Sequence, residues 1–386
     1  MVTDASGSLR MVLASGAFPR TAPTGAMPGA VAVGDVNPSD PIGLSSAGVW
    51  ADAPLDEVAM SGDGRFVAFT SAATSLVAAD GNALPDVFVR DRLLQRTTRV
   101  SVTSSGAEAT GGGVVGQRSG SYAPLLSADG RFVLFQSLTT NLVAGDTNGR
   151  EDLFLHDRDL DGDGLFDEAG QIETRRVSVQ SDGTDATCRV GSPTACAAPH
   201  IEAALSSDGR HVVFSSVLEF DAADVNGLSD VFAVDVVRGR TTRLSQRPGG
   251  LPGAGVARTP VVSAGGRVVA FRTSDPGMVS YDSNGVDDAF AVDRDPDGNG
   301  VFDEQPPTFT HVSLQPGGAL YTAHSFPVAI SADGRWVAYA SQSTLGIYDR
   351  LMGHNSLVRS SGENCPVPTT GMPAERTRLL CPIHRS

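Results

Sequence analysis

Two short stretches concentrate the oxygen chemistry of this chain. They are Asp159-x-Asp161-x-Asp163-Gly164-x-x-Asp167-Glu168 and Asp295-x-Asp297-x-Asn299-Gly300-x-x-Asp303-Glu304. Side-chain oxygens at alternate positions converge when a glycine allows a sharp turn after the third. The backbone carbonyl of Leu165 or Val301 then joins them, and Asp167 or Asp303 supplies a further carboxylate. Carboxylates crowded into one turn repel one another unless a cation sits among them. An all-oxygen set suits Ca2+, because Mg2+ demands tighter octahedral geometry and retains water. The competing expectation is an acidic, solvated turn held by Asx hydrogen bonds.

A second, thinner pattern is D-x-N-G-x-x-D. It occurs as Asp146, Asn148, Asp152; as Asp224, Asn226, Asp230; and as Asp282, Asn284, Asp288. Around Asp80, Asn82 and Asp86 it is out of step, because Gly81 precedes the asparagine. Three side chains and one carbonyl would leave water to complete a calcium shell. The alternative is that Asn-Gly makes the turn while the last Asp caps the next strand.

The elements that must position these groups recur. S-x-x-G-R begins at Ser61, Ser127, Ser206, Ser263 and Ser331, each time ahead of an apolar run such as FVLFQ. In four units the interval from that Ser to the Asp opening a second run (Asp86, Asp152, Asp230, Asp288) is 24 or 25 positions. The runs have strand length, and Asp-Gly between apolar runs closes a hairpin. TTRVSV, TRRVSV and TTRLSQ supply a further strand, and YAPLL at Tyr122 to Leu126 an earlier one. Such a sheet cannot bury both faces alone, so neighbours must stack against it. The expected fold is all-β, a β-propeller of six blades with four antiparallel strands each. Residues 1–54 form a degenerate first blade. The clear blades are 55–120, 121–199, 200–257, 258–324 and 325–360, and 361–386 is a Pro-rich tail. The repeated Arg65, Arg131, Arg210, Arg267 and Arg335 are expected in structural hydrogen bonds.

Composition narrows the function. The net charge of −15 argues against nucleic acid, which needs clustered cations, and agrees with cationic partners. All 29 basic residues are Arg, which reads as a genome-composition bias. No apolar run approaches the length of a membrane-spanning helix, so no membrane insertion is expected. No signal peptide is visible. Cys188 with Cys196 and Cys365 with Cys381 fit two loop-closing disulfides in an exported protein, free thiols being the alternative. No catalytic constellation emerges: Gly116-Gln-Arg-Ser119-Gly120 lacks nucleophile-elbow spacing and His211 lies in a strand. Glu57, Glu202, His200 and Arg258 fall near inner strands, where a channel would open.

SADGRFVLFQS with DVFVRD and TTRVSV resembles the TolB-like β-propeller repeat of exported bacterial proteins, clearly over about residues 55–360 and weakly over 1–54. No α/β segment like that ahead of the TolB propeller is present, which tells against a Tol-system role, while the resemblance implies binding of other proteins. The two acidic insertions resemble the D-x-D-x-D-G-x-x-D calcium loops of integrin-type blades; the Glu that an EF-hand needs at position 12 is replaced by Gln171 and Pro306. The resulting expectation is a periplasmic or extracellular, calcium-stabilised module that binds a protein or glycan. A channel-centred hydrolase or lyase is the alternative.

Overall fold

The computed structural model describes Val2–Thr3, Leu9–Arg10 and residues 41–359 apart from 79, 112–118, 188–200, 252, 306–307 and 342–343. The four cysteines and His200 lie outside the described residues, as does most of the expected first blade. Two compact units are distinguished, Met1–Ala32 and Val33–Ser386. In the first, β1 (Val2–Thr3) pairs antiparallel with β2 (Leu9–Arg10).

The second unit holds five sheets, each a meander of four antiparallel strands in chain order. The first comprises β3 (Leu55–Met60), β4 (Phe66–Ser71), β5 (Asp86–Asp91) and β6 (Arg96–Arg99). The second has β7 (Ser121–Leu126), β8 (Phe132–Ser137), β9 (Asp152–Asp157) and β10 (Glu173–Arg176). The third has β11 (Glu202–Leu205), β12 (His211–Ser216), β13 (Asp230–Asp235) and β14 (Arg240–Arg243). The fourth has β15 (Ala257–Val262), β16 (Val268–Thr273), β17 (Asp288–Asp293) and β18 (Thr308–His311). The fifth has β19 (Ser325–Ile330), β20 (Trp336–Ser341), β21 (Thr344–Asp349) and β22 (His354–Arg359). No helix occurs among the described residues, and none is long and apolar enough to cross a membrane.

Burial explains why these sheets come as a set. Strands β4, β5, β9, β12 and β13 are buried at every position, so both faces of the sheet interior are apolar and covered. The cores lie between sheets. One joins Phe66 and Val89 to Phe135 and Phe154; the next joins Leu134 and Leu155 to Phe214 and Phe232. A third joins Val213 and Val231 to Phe271 and Phe290, and a fourth joins Ala270 and Ala291 to Val337 and Tyr339. Successive sheets sharing cores in sequence, with their first strands nearest one another, make a β-propeller.

The S-x-x-G-R segment proves to be an interface device. Its connection runs five residues, 127–131 in the second sheet, rather than the two-residue turn expected from Asp-Gly alone. Ser127 Oγ donates to Asp129 (2.6 Å) and accepts from Phe132 N–H (2.9 Å), while Arg131 N–H donates to Asp129 (3.0 Å). Backbone bonds then link each turn to the next: Gly62 N–H to Ala128, Ala128 N–H to Ser207, Ser207 N–H to Ala264, and Ala264 N–H to Ala332. Gly130 sits at φ 77° with the Phe66 ring of the preceding sheet against it; a Cβ there would lie 2.3 Å from Phe66 Cδ2. Gly209 meets Phe132 and Gly266 meets His211 in the same way.

The outer strands are shorter than the sequence suggests. RTTR alone is strand, and the following Val-Ser-Val turns into a small hairpin closed by Val102 and Glu108. That hairpin pins the next sheet, since Ser104 Oγ accepts from Thr174 N–H (3.0 Å). Ser181 holds Thr241 similarly, in the hairpin closed by Val179 and Asp185. Ser46 holds Thr97 in the same way, from the hairpin closed by Leu44 and Trp50. Residues 44–50 therefore stand to the first sheet as the later exit hairpins stand to the sheets that follow them.

Replacing Gly130 with Ala should cost about 2–4 kcal/mol, from left-handed strain plus the clash with Phe66. Gly170→Ala, equally left-handed but facing open space, should cost ~1 kcal/mol. Urea unfolding of the two variants checks this, and equal losses would mean the glycine notch does not hold the blades together.

Candidate functional site

The acidic insertions connect β9 to β10 and β17 to β18. In the first, one carboxylate oxygen from each of Asp159, Asp161 and Asp163 falls within 4.8 Å of the others. Asp159 is buried, whereas Asp161 and Asp163 are exposed. Asp159 accepts from Asp163 N–H (3.1 Å) and Gly164 N–H (3.2 Å), and Asp163 accepts from Leu165 N–H (2.8 Å). The donors to Asp159 and Asp163 named here are thus all backbone N–H groups. The second loop repeats the frame: Asp295 accepts from Asn299 N–H (3.0 Å) and Gly300 N–H (3.1 Å), and Asn299 accepts from Val301 N–H (2.7 Å). The Asn299 amide is turned toward Asp297 (3.2 Å) and Glu304.

Asp167 and Asp303, expected as ligands, are placed elsewhere. Asp167 forms a two-pronged ion pair with Arg158 (2.8 and 2.7 Å), and Asp303 does the same with Arg294 (3.0 and 2.6 Å). Both aspartates have left-handed backbone, φ 64° and 61°, which swings their side chains back from the loop. Burial pushes the Asp167 carboxyl up, but Arg158 outweighs it and holds it below the usual range. Arg158 is itself buried, with its guanidinium carbon 4.7 Å from the Phe66 ring and 5.0 Å from the Phe166 ring, and it donates to the Gly130 carbonyl. Phe166 meets Phe66 edge-on at 4.9 Å. In the fourth blade Phe302 lies 5.0 Å from His211 of the third. The back half of each insertion is therefore a clasp onto the preceding blade.

In three of the four D-x-N-G-x-x-D segments an arginine already faces the acids. Arg176 stands 3.1 Å from Asp146 and 3.4 Å from Asp152, and also contacts Asp185. Arg99 stands 3.3 Å from both Asp80 and Asp86 and 2.7 Å from Glu108, three acids that otherwise form a compact oxygen group. Arg243 stands 3.5 Å from Asp224. In the fourth blade His311 takes the arginine's place, 3.2 Å from Asp288. Asn148, Asn226 and Asn284 each donate to the closing Asp152, Asp230 or Asp288. Asn82 bonds Asp86 likewise; Ala83, at φ 56°, adopts the conformation that glycine supplies in the other copies. In the first three blades these segments are thus carboxylate–guanidinium cores, and a metal at Asp146, Asp224 or their partners would compete with a fixed arginine. The missed signal was the last residue of each outer strand, Arg99, Arg176 and Arg243, which recurs at the same place in the blade although the acidic insertion lengthens its distance from the acids in the second.

The channel-side acids are bonded too. Glu57 accepts from Ala123 N–H (2.8 Å) and Glu202 from Thr259 N–H (2.5 Å), each reaching the bulged inner strand of another blade. Arg258 lies opposite Arg272 on β16. Ser313, His311 and Asp288 touch one another, but serine and aspartate both approach Nε2 and all three are buried, which is not a relay toward a substrate.

No protein-family model matches the chain, and no curated relative does. Among solved structures it is similar to TolB from Acinetobacter baumannii (15% identity, 80% of this chain and 54% of that one, TM-score 0.38). It is also similar to a putative TolB from Agrobacterium tumefaciens (13%, 80% and 82%, TM-score 0.41). A third is the β-propeller domain of the Trilobed protease from Pyrococcus furiosus (10%, 77% and 69%, TM-score 0.38). The chain spans about half the length of the first of these. Likeness at this level carries nothing about activity; the sheet order and the shared cores carry the fold.

Two tests follow from the geometry. Asp167→Asn should destabilise by about 3 kcal/mol whether or not calcium is present, because it strands a buried guanidinium. The second concerns pH. Burial, with Asp152 beside it, raises the Asp146 carboxyl to about 6, and burial with Asp230 raises Asp224. A raised folded-state carboxyl contributes stability below its ordinary value that is lost as pH passes the folded value. Burial depresses His156 and His211 to about 4, which works in the opposite sense, so the useful quantity is a difference. The melting advantage of wild type over Asp146→Asn should shrink by about 2–4 °C between pH 5 and pH 8. An advantage that grows with pH would contradict the buried-acid assignment.

Proposed function

We propose that the protein is an exported, calcium-stabilised β-propeller that works by binding rather than catalysis, its ligand a protein or a glycan. The observation that carries the calcium reading is the convergence of Asp159, Asp161 and Asp163 in a loop where no guanidinium is hydrogen-bonded to them among the described residues. Hard oxygen donors without nitrogen or sulfur favour Ca2+ over transition metals. The carbonyl of Leu165 and water would complete the shell. Asp295, Asp297, Asn299 and Val301 form the second, weaker site, with one carboxylate fewer. A calcium site of this kind would agree with export, since extracellular modules work at millimolar calcium. The binding reading is supported by the bonds that already occupy Glu57 and Glu202, the acids a channel enzyme would use.

Millimolar calcium should stabilise each occupied loop by roughly 1–1.5 kcal/mol. The melting temperature should fall on chelation and recover with Ca2+ but poorly with Mg2+. Asp163→Ala should remove most of the response while leaving the calcium-free melt nearly unchanged. A melt indifferent to EDTA would defeat the calcium reading.

A further inference from the structure

The third blade departs from the first two at one point. In the first two blades the exit hairpin returns a carboxylate, Glu108 or Asp185, to the outer-strand arginine. After β14 the corresponding hairpin is closed by Arg247 and Leu251 and brings no acid. Arg243 is left with Nε and Nη1 buried and without hydrogen bonds, as is Asp224 Oδ1 facing it at 3.5 Å. Asp221 stands 3.6 Å from Nε, beyond hydrogen-bond reach. Beside this incomplete cluster opens a cleft of about 420 Å3, bordered by Gln180, Asp182, Asp221, Arg240, Arg243 and Gln246. That volume lies within the range of small-molecule sites.

From the cleft and the charges that line it we infer a binding site for a neutral, hydroxyl-rich ligand, the end residue of a saccharide. The inference rests on the binding-module reading and gives its ligand a chemical class. Charge makes the selection. A ligand carboxylate would meet Asp182 and Asp221, and an ammonium would meet Arg240 and Arg243. A hydroxyl does what neither ion does, accepting from the exposed Arg240 while donating to Asp182 or Asp221. Gln180 and Gln246 offer both roles to neighbouring hydroxyls.

The test is calorimetric titration of the calcium-supplemented protein with maltose, lactose and mannose, and with glucuronate and glucosamine as charged comparators. Ala222, exposed at the cleft wall, is changed to Trp to fill the space without touching an ion pair. The expected result is saturable binding of at least one neutral sugar in the millimolar range, at least tenfold weaker for the charged sugars. It should be lost in Ala222→Trp with the melting temperature unchanged. Binding that survives Ala222→Trp would overturn this site while leaving the binding reading standing. Absence of saturable binding to every neutral sugar, with the calcium response intact, would overturn the ligand class.

Discussion

A four-stranded sheet whose middle strands are apolar on both faces cannot stand in water alone, and the architecture answers that constraint. The contact that admits a neighbour is small: a glycine laid over the first side chain of the preceding blade's second strand, as Gly130 over Phe66. Each letter of S-x-D-G-R has a task there. Serine and aspartate satisfy the backbone of the tight turn, glycine accepts both the left-handed conformation and the neighbour's ring, and arginine reaches forward to the end of the third strand. Arg65 pairs with Asp91, Arg131 with Asp157, Arg210 with Asp235, Arg267 with Asp293 and Arg335 with Asp349. The motif is repeated because the interface is repeated.

The same constraint shapes the electrostatics. Aspartates at strand ends are drawn inside with the sheets, where an unpaired carboxylate is costly. Arginine answers it better than lysine would, since its planar fork bonds both carboxylate oxygens at once. A chain with 29 arginines and no lysine thus finds a structural use for a bias that composition alone had attributed to the genome. Net charge describes the surface poorly here, because much of the acid excess is interior: Asp86, Asp152, Asp230 and Asp288 are all buried.

What could be read from sequence followed from local chemistry. The strands, their order within a blade and the acidic turns were legible because apolar runs and Asx-Gly turns are set by neighbouring residues. Two things were not. Arg176 lies two dozen residues beyond Asp152, and nothing local says that the outer strand folds its guanidinium back over the D-x-N-G-x-x-D acids. Asp167 looks like the ninth residue of a metal loop until its left-handed backbone and Arg158 are seen together. In both cases the deciding partner is an arginine whose role depends on sheet pairing, so residue spacing assigned the carboxylate but not its counter-ion.

That distinction separates the two halves of each insertion. The front half, Asp159 to Asp163, presents carboxylates served by backbone N–H groups, and the back half, Phe166 and Asp167, grips Arg158 and the preceding blade. Only three residues, Gly164 to Phe166, lie between Asp163 and Asp167, too few for the turn to move without moving the clasp. An ion held by the front half would therefore act on the blade interface, not merely on a surface loop. The buried acid pairs beside Arg99, Arg176 and Arg243 carry their cation covalently and need no such supply. Where the chain provides a guanidinium the interface is fixed at synthesis; where it provides only carboxylates and a glycine turn, the proposed ion would have to come from the surrounding solution.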